Sequence, residues 1–530
     1  MLALSVLDSI VAEDHYQHWL SFLITKGYLQ HLVDSLPSDD VGLHASLAPE
    51  PTQLRPLYIF QSKMSMLTRL AQTAEGARTL LRCGIMQKLA ACSALDLRPE
   101  RESVSPPVGM EADNFIPDPL ARYRLVLSAA LKLCLAVLTS LGMENKEAAS
   151  QVMLFVISHG DVFNTILRAR SPSLDLAAMR ELALTTAVIA RANCQADLDA
   201  EFLDSVTAQV EFKSHRSRLH RQMMALLPRY CFSEKFNKQL RNLSSQTSLD
   251  NAADIALAYQ EIATNITAFC RAVITESSPS YQYSRILFGP SLEEASARDL
   301  QNGEDLSNVV SVSTYQAPNL GVVVYQLRQC TSQFQATFDT HHQYQQKLGS
   351  LHDLSTEDLK QLSEMSGMEK LSSQQRQVVA RQRLQQMVAN KGQELQHLSL
   401  PDILENCLFI IWRHLEYYLL NCVPADQQPL GFQSTARRQQ HMRRLQDPAW
   451  VQQGGGDLEG VDEDLEQAAF GVTRQDLDLL KKNAPAVISE TLLKKVLEIN
   501  QSYGKSHTHY SFTEAIVRRI RRLLRLHTGS

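Results

Sequence analysis

His414 and Glu416 interrupt the otherwise apolar segment CLFIIWRHLEYYLLNC, Cys407 to Cys422. A general acid–base pair would need both side chains to converge on one reacting atom. On a helix, residues two apart face different ways, whereas Arg413 and Glu416, three apart, can pair. Leu408, Trp412, Leu415 and Leu419 form one stripe, flanked by Ile411, Tyr418 and Cys422, with Ile410 and Tyr417 opposite. A helix apolar over so much of its circumference is buried between neighbours on both sides, and His414 falls on the apolar part. The spacing predicts a core helix rather than a catalytic one.

The remaining reactive residues are scattered. His341–His342 and His507/His509 are the only histidine clusters, and a metal site needs three or four converging ligands; beyond Asp339 nothing at helical spacing completes one. Nine cysteines occur singly, without a CxxC pair, and read as reduced core thiols of a cytosolic or nuclear protein. The phosphate loops GxxxxGKS/T and GxGxxG and the nucleophile elbow GxSxG do not occur, and GGGDLEG is acidic, the wrong sign for holding phosphate. No catalytic, cofactor-binding or metal-ligating residue is assigned, and the chain reads as no enzyme.

One charged element stands out. SFTEAIVRRIRRLLRL places Ser511 and Glu514 at capping-box spacing, then Ile516, Val517, Ile520, Leu523 and Leu524 on one helical face. Arg518, Arg519, Arg521, Arg522 and Arg525 fill the other faces. Such a helix can end a stack with a solvated basic face, bind a partner or an acidic group, or lie on a membrane surface; basic last turns also complement the helix dipole.

These segments must be positioned by helices. Apolar residues recur at three- and four-residue spacing over residues 71–94, 125–141, 152–157, 176–192 and 255–273, and no alternating strand is convincing. The fold class is all-α. Three junctions, WLSFLITKGYLQHLV, TLLRCGIMQKLA and LFVISHGDVFNTIL, repeat an apolar helix, a Gly, then a second apolar helix. Gly27, Gly84 and Gly160 suit the left-handed position that ends a helix. Tightly joined helix pairs of this kind build irregular HEAT- and armadillo-like α-solenoids. Residues 322–348 and 373–398 predict two further long helices, the second Gln- and Arg-rich and exposed. The expected organisation is a solenoid over residues 1–423, with loops near 97–120, 239–251 and 277–318. A disordered linker follows over 424–471, then C-terminal helices closing the solenoid over 472–530.

Length and charge narrow the class. A chain of 530 residues is too long for one core, and a formal charge of -5 excludes a dominant nucleic-acid footprint. Between charges, no apolar run reaches the roughly 20 residues of a membrane span. The opening MLALSVLDSIV lacks the basic region and cleavage site of a signal peptide. It also lacks a polar cap, which suggests that the chain continues something, or stacks on something, at its N-terminal end.

CLFIIWRHLEYYLLNC, the terminal SFTEAIVRRIRRLLRL, LARYRLVLSAALKLCLAVLTS and VISHG together resemble the C-terminal part of the large inner-ring scaffold nucleoporins of the nuclear pore complex, over essentially the whole chain. The resemblance implies an α-solenoid without enzymatic activity or cofactor, resident at the nuclear envelope. It also implies that the C-terminal part docks a linker segment of an adaptor nucleoporin of the nucleoporin 93 type. The family's docking residues form no short motif that maps position by position. Trp412, Tyr417, Tyr418, Arg518, Arg519, Arg521 and Arg522 are therefore candidates for partner contact rather than transferred sites. FG occurs only at Phe288–Gly289 and Phe470–Gly471, so the chain is no transport-barrier meshwork. Two alternatives stay open, a karyopherin-like HEAT receptor and a helical regulator of a small GTPase.

Overall fold

The computed structural model describes residues 2–14, 18–51, 53–99, 116–142, 145–168, 175–192, 206–231, 249–275, 286–296, 319–349, 373–397, 400–422, 472–503 and 512–525. The segments 424–471 and 507–511, and most of the expected loops, lie outside them. The described residues form helices without a strand; the one β-type pairing is an isolated bridge between Gly289 and Asn319. They divide into two compact units, one up to Leu287 and one from Phe288 onward.

In the first unit the helices are α1 (Leu2–Ala12), α2 (His18–Thr25), α3 (Tyr28–Asp34), α4 (Leu36–Leu47), α5 (Arg55–Ala71), α6 (Ala74–Arg82) and α7 (Ile85–Ala90). A 3₁₀ turn, Ser93–Asp96, precedes α8 (Pro119–Leu141), α9 (Lys146–Ser158), α10 (Gly160–Leu167), α11 (Leu176–Ala192), α12 (Val206–Cys231) and α13 (Leu249–Thr275). One file runs α1, α5, α8, α11, α13, each touching the next; α4, α7, α9 and α12 form a second file against it. Each helix meets its neighbours rather than a common centre, the expected solenoid design.

Local chemistry sets the helix starts. Thr73 Oγ1 accepts the Gly76 N–H at 3.1 Å, and the Asp118 carboxylate accepts from Leu120 and Ala121 ahead of Pro119. Asn145 Oδ1 accepts the Ala148 N–H at 2.9 Å. These side chains satisfy donors that the first helical turn leaves orphaned. Gly27 and Gly84 adopt φ of 72° and 76° as the junction reading requires. Gly160 departs from it, because α10 starts at that residue in ordinary helical geometry. There the turn falls on His159, whose buried ring is held by Asp96 at 2.7 Å and by Leu89 O at 3.1 Å. The ring contacts replace a left-handed residue as the device that fixes the α9–α10 corner.

Among the described residues α8 alone is long and apolar enough to cross a membrane. Its apolar residues Val126, Leu127, Ala130, Leu131 and Val137 are buried against α5 and α11. It also carries the fully buried Arg122, whose guanidinium donates to Ser46 O, Ala48 O at 3.0 Å and Pro49 O at 3.3 Å. This cation caps the carbonyl end of α4, where the helix dipole favours positive charge. The role suits a core helix.

The second unit holds α14 (Glu293–Ser296), α15 (Leu320–Gly349), α16 (Ser373–His397), α17 (Leu400–Glu416), α18 (Arg474–Val487), α19 (Glu490–Tyr503) and α20 (Phe512–Leu524). α15 is the hub and touches α14, α16, α17 and α19. Its first two turns, Leu320 to Leu327, are buried all round. The expected apolar stripe continues through Cys330 and Phe334 and then surfaces at Phe338, which is 37% exposed. α16 is mostly exposed, with Ala380 and Leu384 as its buried seam. α18 opens with a capping box between Thr473 and Asp476.

Candidate docking face on the last helix

α17 resolves the question raised by its histidine. Cys407, Leu408, Ile410, Ile411 and Leu415 are buried, as is His414. Arg413 pairs with Glu416 at 3.0 Å, as the spacing predicts. The His414 ring donates from Nδ1 to Ile410 O at 2.8 Å, and Nε2 accepts the Phe288 N–H at 3.1 Å. One donor and one acceptor define a neutral imidazole. Burial pushes its pKa down to about 4. Both nitrogens are committed to the backbone, which removes the open position a general base requires.

Beyond Glu416 the helix widens into a π-helical turn, Tyr417–Asn421, closed by Cys422 N–H to Tyr417 O at 2.8 Å. Tyr418 points inward and its hydroxyl donates to Phe288 O at 2.6 Å. Burial pushes this phenol well above its ordinary pKa. Phe288 is thus held at both backbone groups, by His414 at the amide and Tyr418 at the carbonyl. Tyr418→Phe leaves that carbonyl without its donor, so a loss of about 1–2 kcal/mol is expected. The check is the urea midpoint of the variant together with hydrogen exchange in α17; an unchanged midpoint would remove Tyr418 from the clamp.

Trp412 is also buried, at 7% exposure. Two guanidiniums lie over its ring, Arg519 with Cζ 4.5 Å from the ring centroid and Arg413 with Cζ at 5.0 Å. Phe409 meets Trp412 edge-on with ring centroids 5.7 Å apart, and stacks on Phe512 at 6.3 Å. These contacts join α17 to α20 in a row of aromatic rings and arginines, with cation–π attraction adding to the packing. Phe512 is 44% exposed and forms the outer end of the row.

α20 separates its faces cleanly. Thr513, Ile516, Val517, Ile520 and Leu524 are buried. Arg521 turns back to Glu490 of α19 in a two-point ion pair at 3.1 and 2.5 Å. Arg518, Arg519 and Arg522 are exposed and follow i, i+1, i+4 spacing along one side; Arg518 also reaches Glu514 at 3.4 Å. Of the sequence candidates, the structure brings Trp412 together with Arg519. It sets Tyr418 inside and Tyr417 half-buried beside it, and it commits Arg521 to α19. Phe409 and Phe512 were not singled out from the sequence, although Phe512 stands seven residues before Arg519 and so shares its helical row.

Among the described residues no group of three or more His, Cys, Asp or Glu side chains could hold a metal ion. Cys83, Cys92, Cys134, Cys270, Cys330, Cys407 and Cys422 form no disulfide among the described residues. Burial pushes Cys134, Cys270 and Cys330 up to about 12, which keeps them as unreactive thiols.

A family model described as nuclear pore complex scaffold, nucleoporins 186/192/205, matches residues 1–193. Over 99% of its length the chain is 38% identical to human nuclear pore complex protein Nup205, covering 26% of that protein. It is 25% identical to the Drosophila melanogaster Nup205, again over 99% of the chain and covering 22% of the fly protein. To Arabidopsis thaliana NUP205 it is 23% identical over 36% of the chain, covering 10% of the plant protein. The chain thus spans about a quarter of the length of the human and fly relatives. Helix files in place of a globular core, together with similarity along the whole chain, lead to one assignment: the chain belongs to the nucleoporin 186/192/205 family of nuclear pore complex scaffold proteins.

Proposed function

We propose that the chain is a scaffold segment of the nuclear pore complex inner ring at the nuclear envelope, where it docks short linker segments of adaptor nucleoporins and so supports pore assembly and nucleocytoplasmic transport. Its partners are other nucleoporins, especially the adaptor of the nucleoporin 93 type. The human and fly relatives are named as nuclear pore complex proteins, which supports the setting. A structural rather than enzymatic role agrees with His414, the best-placed catalytic candidate, being neutral and bonded to backbone on both sides.

The observation that carries the docking role is the row of Phe512, Phe409, Trp412 and Arg519 between α17 and α20. An amphipathic linker helix needs an apolar anchor point flanked by polar groups that fix its register. Phe512 supplies exposed aromatic surface, and the arginines of α20 supply the flank. Trp412 and Tyr418 act from beneath, as the support that holds Phe409 and α17 in place.

The test is direct binding of the adaptor's linker peptide to the whole chain, followed by fluorescence anisotropy. Phe512→Ala combined with Arg519→Ala is expected to weaken binding by about tenfold or more, since central aromatic and Arg anchors dominate such interfaces. Folded protein that fails to bind the linker at all would remove the docking role.

A further inference from the structure

We propose that the segment received by α20 is acidic: an amphipathic helix whose carboxylates pair with Arg518, Arg519 and Arg522 while one aromatic or long aliphatic residue rests on Phe512. The inference rests on the docking reading above and adds the chemistry of the occupant.

Charge complementarity carries it. The chain as a whole has a formal charge of -5, yet α18, α19 and α20 hold nine Lys and Arg against five Asp and Glu. This local reversal of sign is presented outward by α20. Its apolar face is already buried, and Arg521 is neutralised by Glu490 of α19. Arg519 lies over Trp412 of α17 and is still exposed, and Arg518 and Arg522 are exposed on the same side of the helix. Guanidinium forks bind carboxylates in two-point geometry, and the i, i+1, i+4 spacing of Arg518, Arg519 and Arg522 matches carboxylates three or four residues apart on a facing helix.

A membrane surface would use a basic amphipathic helix differently. It takes up the apolar face of such a helix between lipid headgroups. In α20 that face is occupied by the protein's own packing, which leaves charge without an insertable stripe. The exposed Phe512 is a single anchor, suited to a pocket or ring on a peptide.

The experiment uses the whole chain and two labelled helical peptides with the same Leu and Phe stripe, one carrying Glu and the other Gln at every polar position. The Glu peptide is expected to bind at least tenfold tighter in 50 mM salt, and to lose most of that advantage in 300 mM salt as screening shortens the Debye length. Arg518→Glu combined with Arg522→Glu alters two exposed residues and is expected to cut Glu-peptide binding tenfold or more, with the unfolding midpoint unchanged. Equal binding of the two peptides, binding of neither, or Glu-peptide binding indifferent to the double reversal overturns the acidic occupant. Co-sedimentation with vesicles of phosphatidylcholine containing phosphatidylserine, abolished by the same reversal, would reassign the arginines to a membrane and likewise overturn it. The linker-peptide assay addresses docking separately: a linker that binds as well to the double reversal keeps the docking role and removes only the charge requirement.

Discussion

Glu181→Ala is expected to destabilise the first unit by about 3 kcal/mol, the lower part of the range for removing one member of a buried ion pair. The Glu181 carboxylate on α11 is buried and takes both terminal nitrogens of Arg98, with Nη2 to Oε2 at 3.1 Å. It also takes Arg124 Nε of α8 at 3.1 Å, and Arg124 continues to Asp175 at 3.3 Å. Arg98 in turn lies over the Tyr123 ring at 5.8 Å, while the Tyr123 hydroxyl donates to Leu95 O at 2.6 Å. One carboxylate therefore ties the chain after the 3₁₀ turn to two successive members of the helix file. Its loss leaves two mostly covered guanidiniums facing each other with Asp175 as the remaining anion.

The informative control is Arg180→Ala on the same helix. Its pair with Asp254 is short, 2.6 Å, but both side chains are about half exposed or more, at 60% and 48%. Solvent screening limits such a pair to roughly 1 kcal/mol or less. Urea denaturation with hydrogen exchange of α8 and α11 amides separates the two. Equal effects of the two variants would show that burial does not decide the value of these ion pairs.

The contrast also explains what could be read from the sequence. Burial of α17 was legible because apolar residues cover most of its circumference, a property of consecutive residues alone. The left-handed glycines were legible at Gly27 and Gly84 for the same reason, since a turn is a local event. Gly160 looked identical in sequence, but His159 reaches Asp96 and Leu89, more than sixty residues earlier in the chain, and that distant contact sets the corner. Arg122 was hidden likewise. Within LARYRLVLSAALKLCLAVLTS an arginine reads as the polar edge of a helix, and nothing nearby announces the three carbonyls of residues 46–49 that it caps. Arg518, Arg519, Arg521 and Arg522 could not be sorted by sequence either, because the positions of Glu490 and Trp412 decide which arginine turns back to α19 and which lies over α17.

Acidification is expected to weaken the second unit through His414, and His414→Gln is expected to remove that part of the pH response. Unfolded, the imidazole titrates near its ordinary value of 6.5; folded, burial holds its pKa at about 4. Between those values the unfolded chain binds a proton that the folded chain refuses, so stability falls as pH drops from 6.5 towards 4 and is fully retained above 6.5. The full span corresponds to roughly 3 kcal/mol, and about 2 kcal/mol of it is lost by pH 5. The geometry supplies the reason: a proton on Nε2 would face the Phe288 N–H, turning a hydrogen bond into a donor–donor contact in a site that cannot solvate the charge. Glutamine can offer one donor and one acceptor without titrating, so its variant loses some stability at pH 7 but not the slope. The difference in urea midpoints between wild type and variant at pH 7 and pH 5 isolates His414. Identical pH responses would mean that the ring escapes its burial before it is protonated.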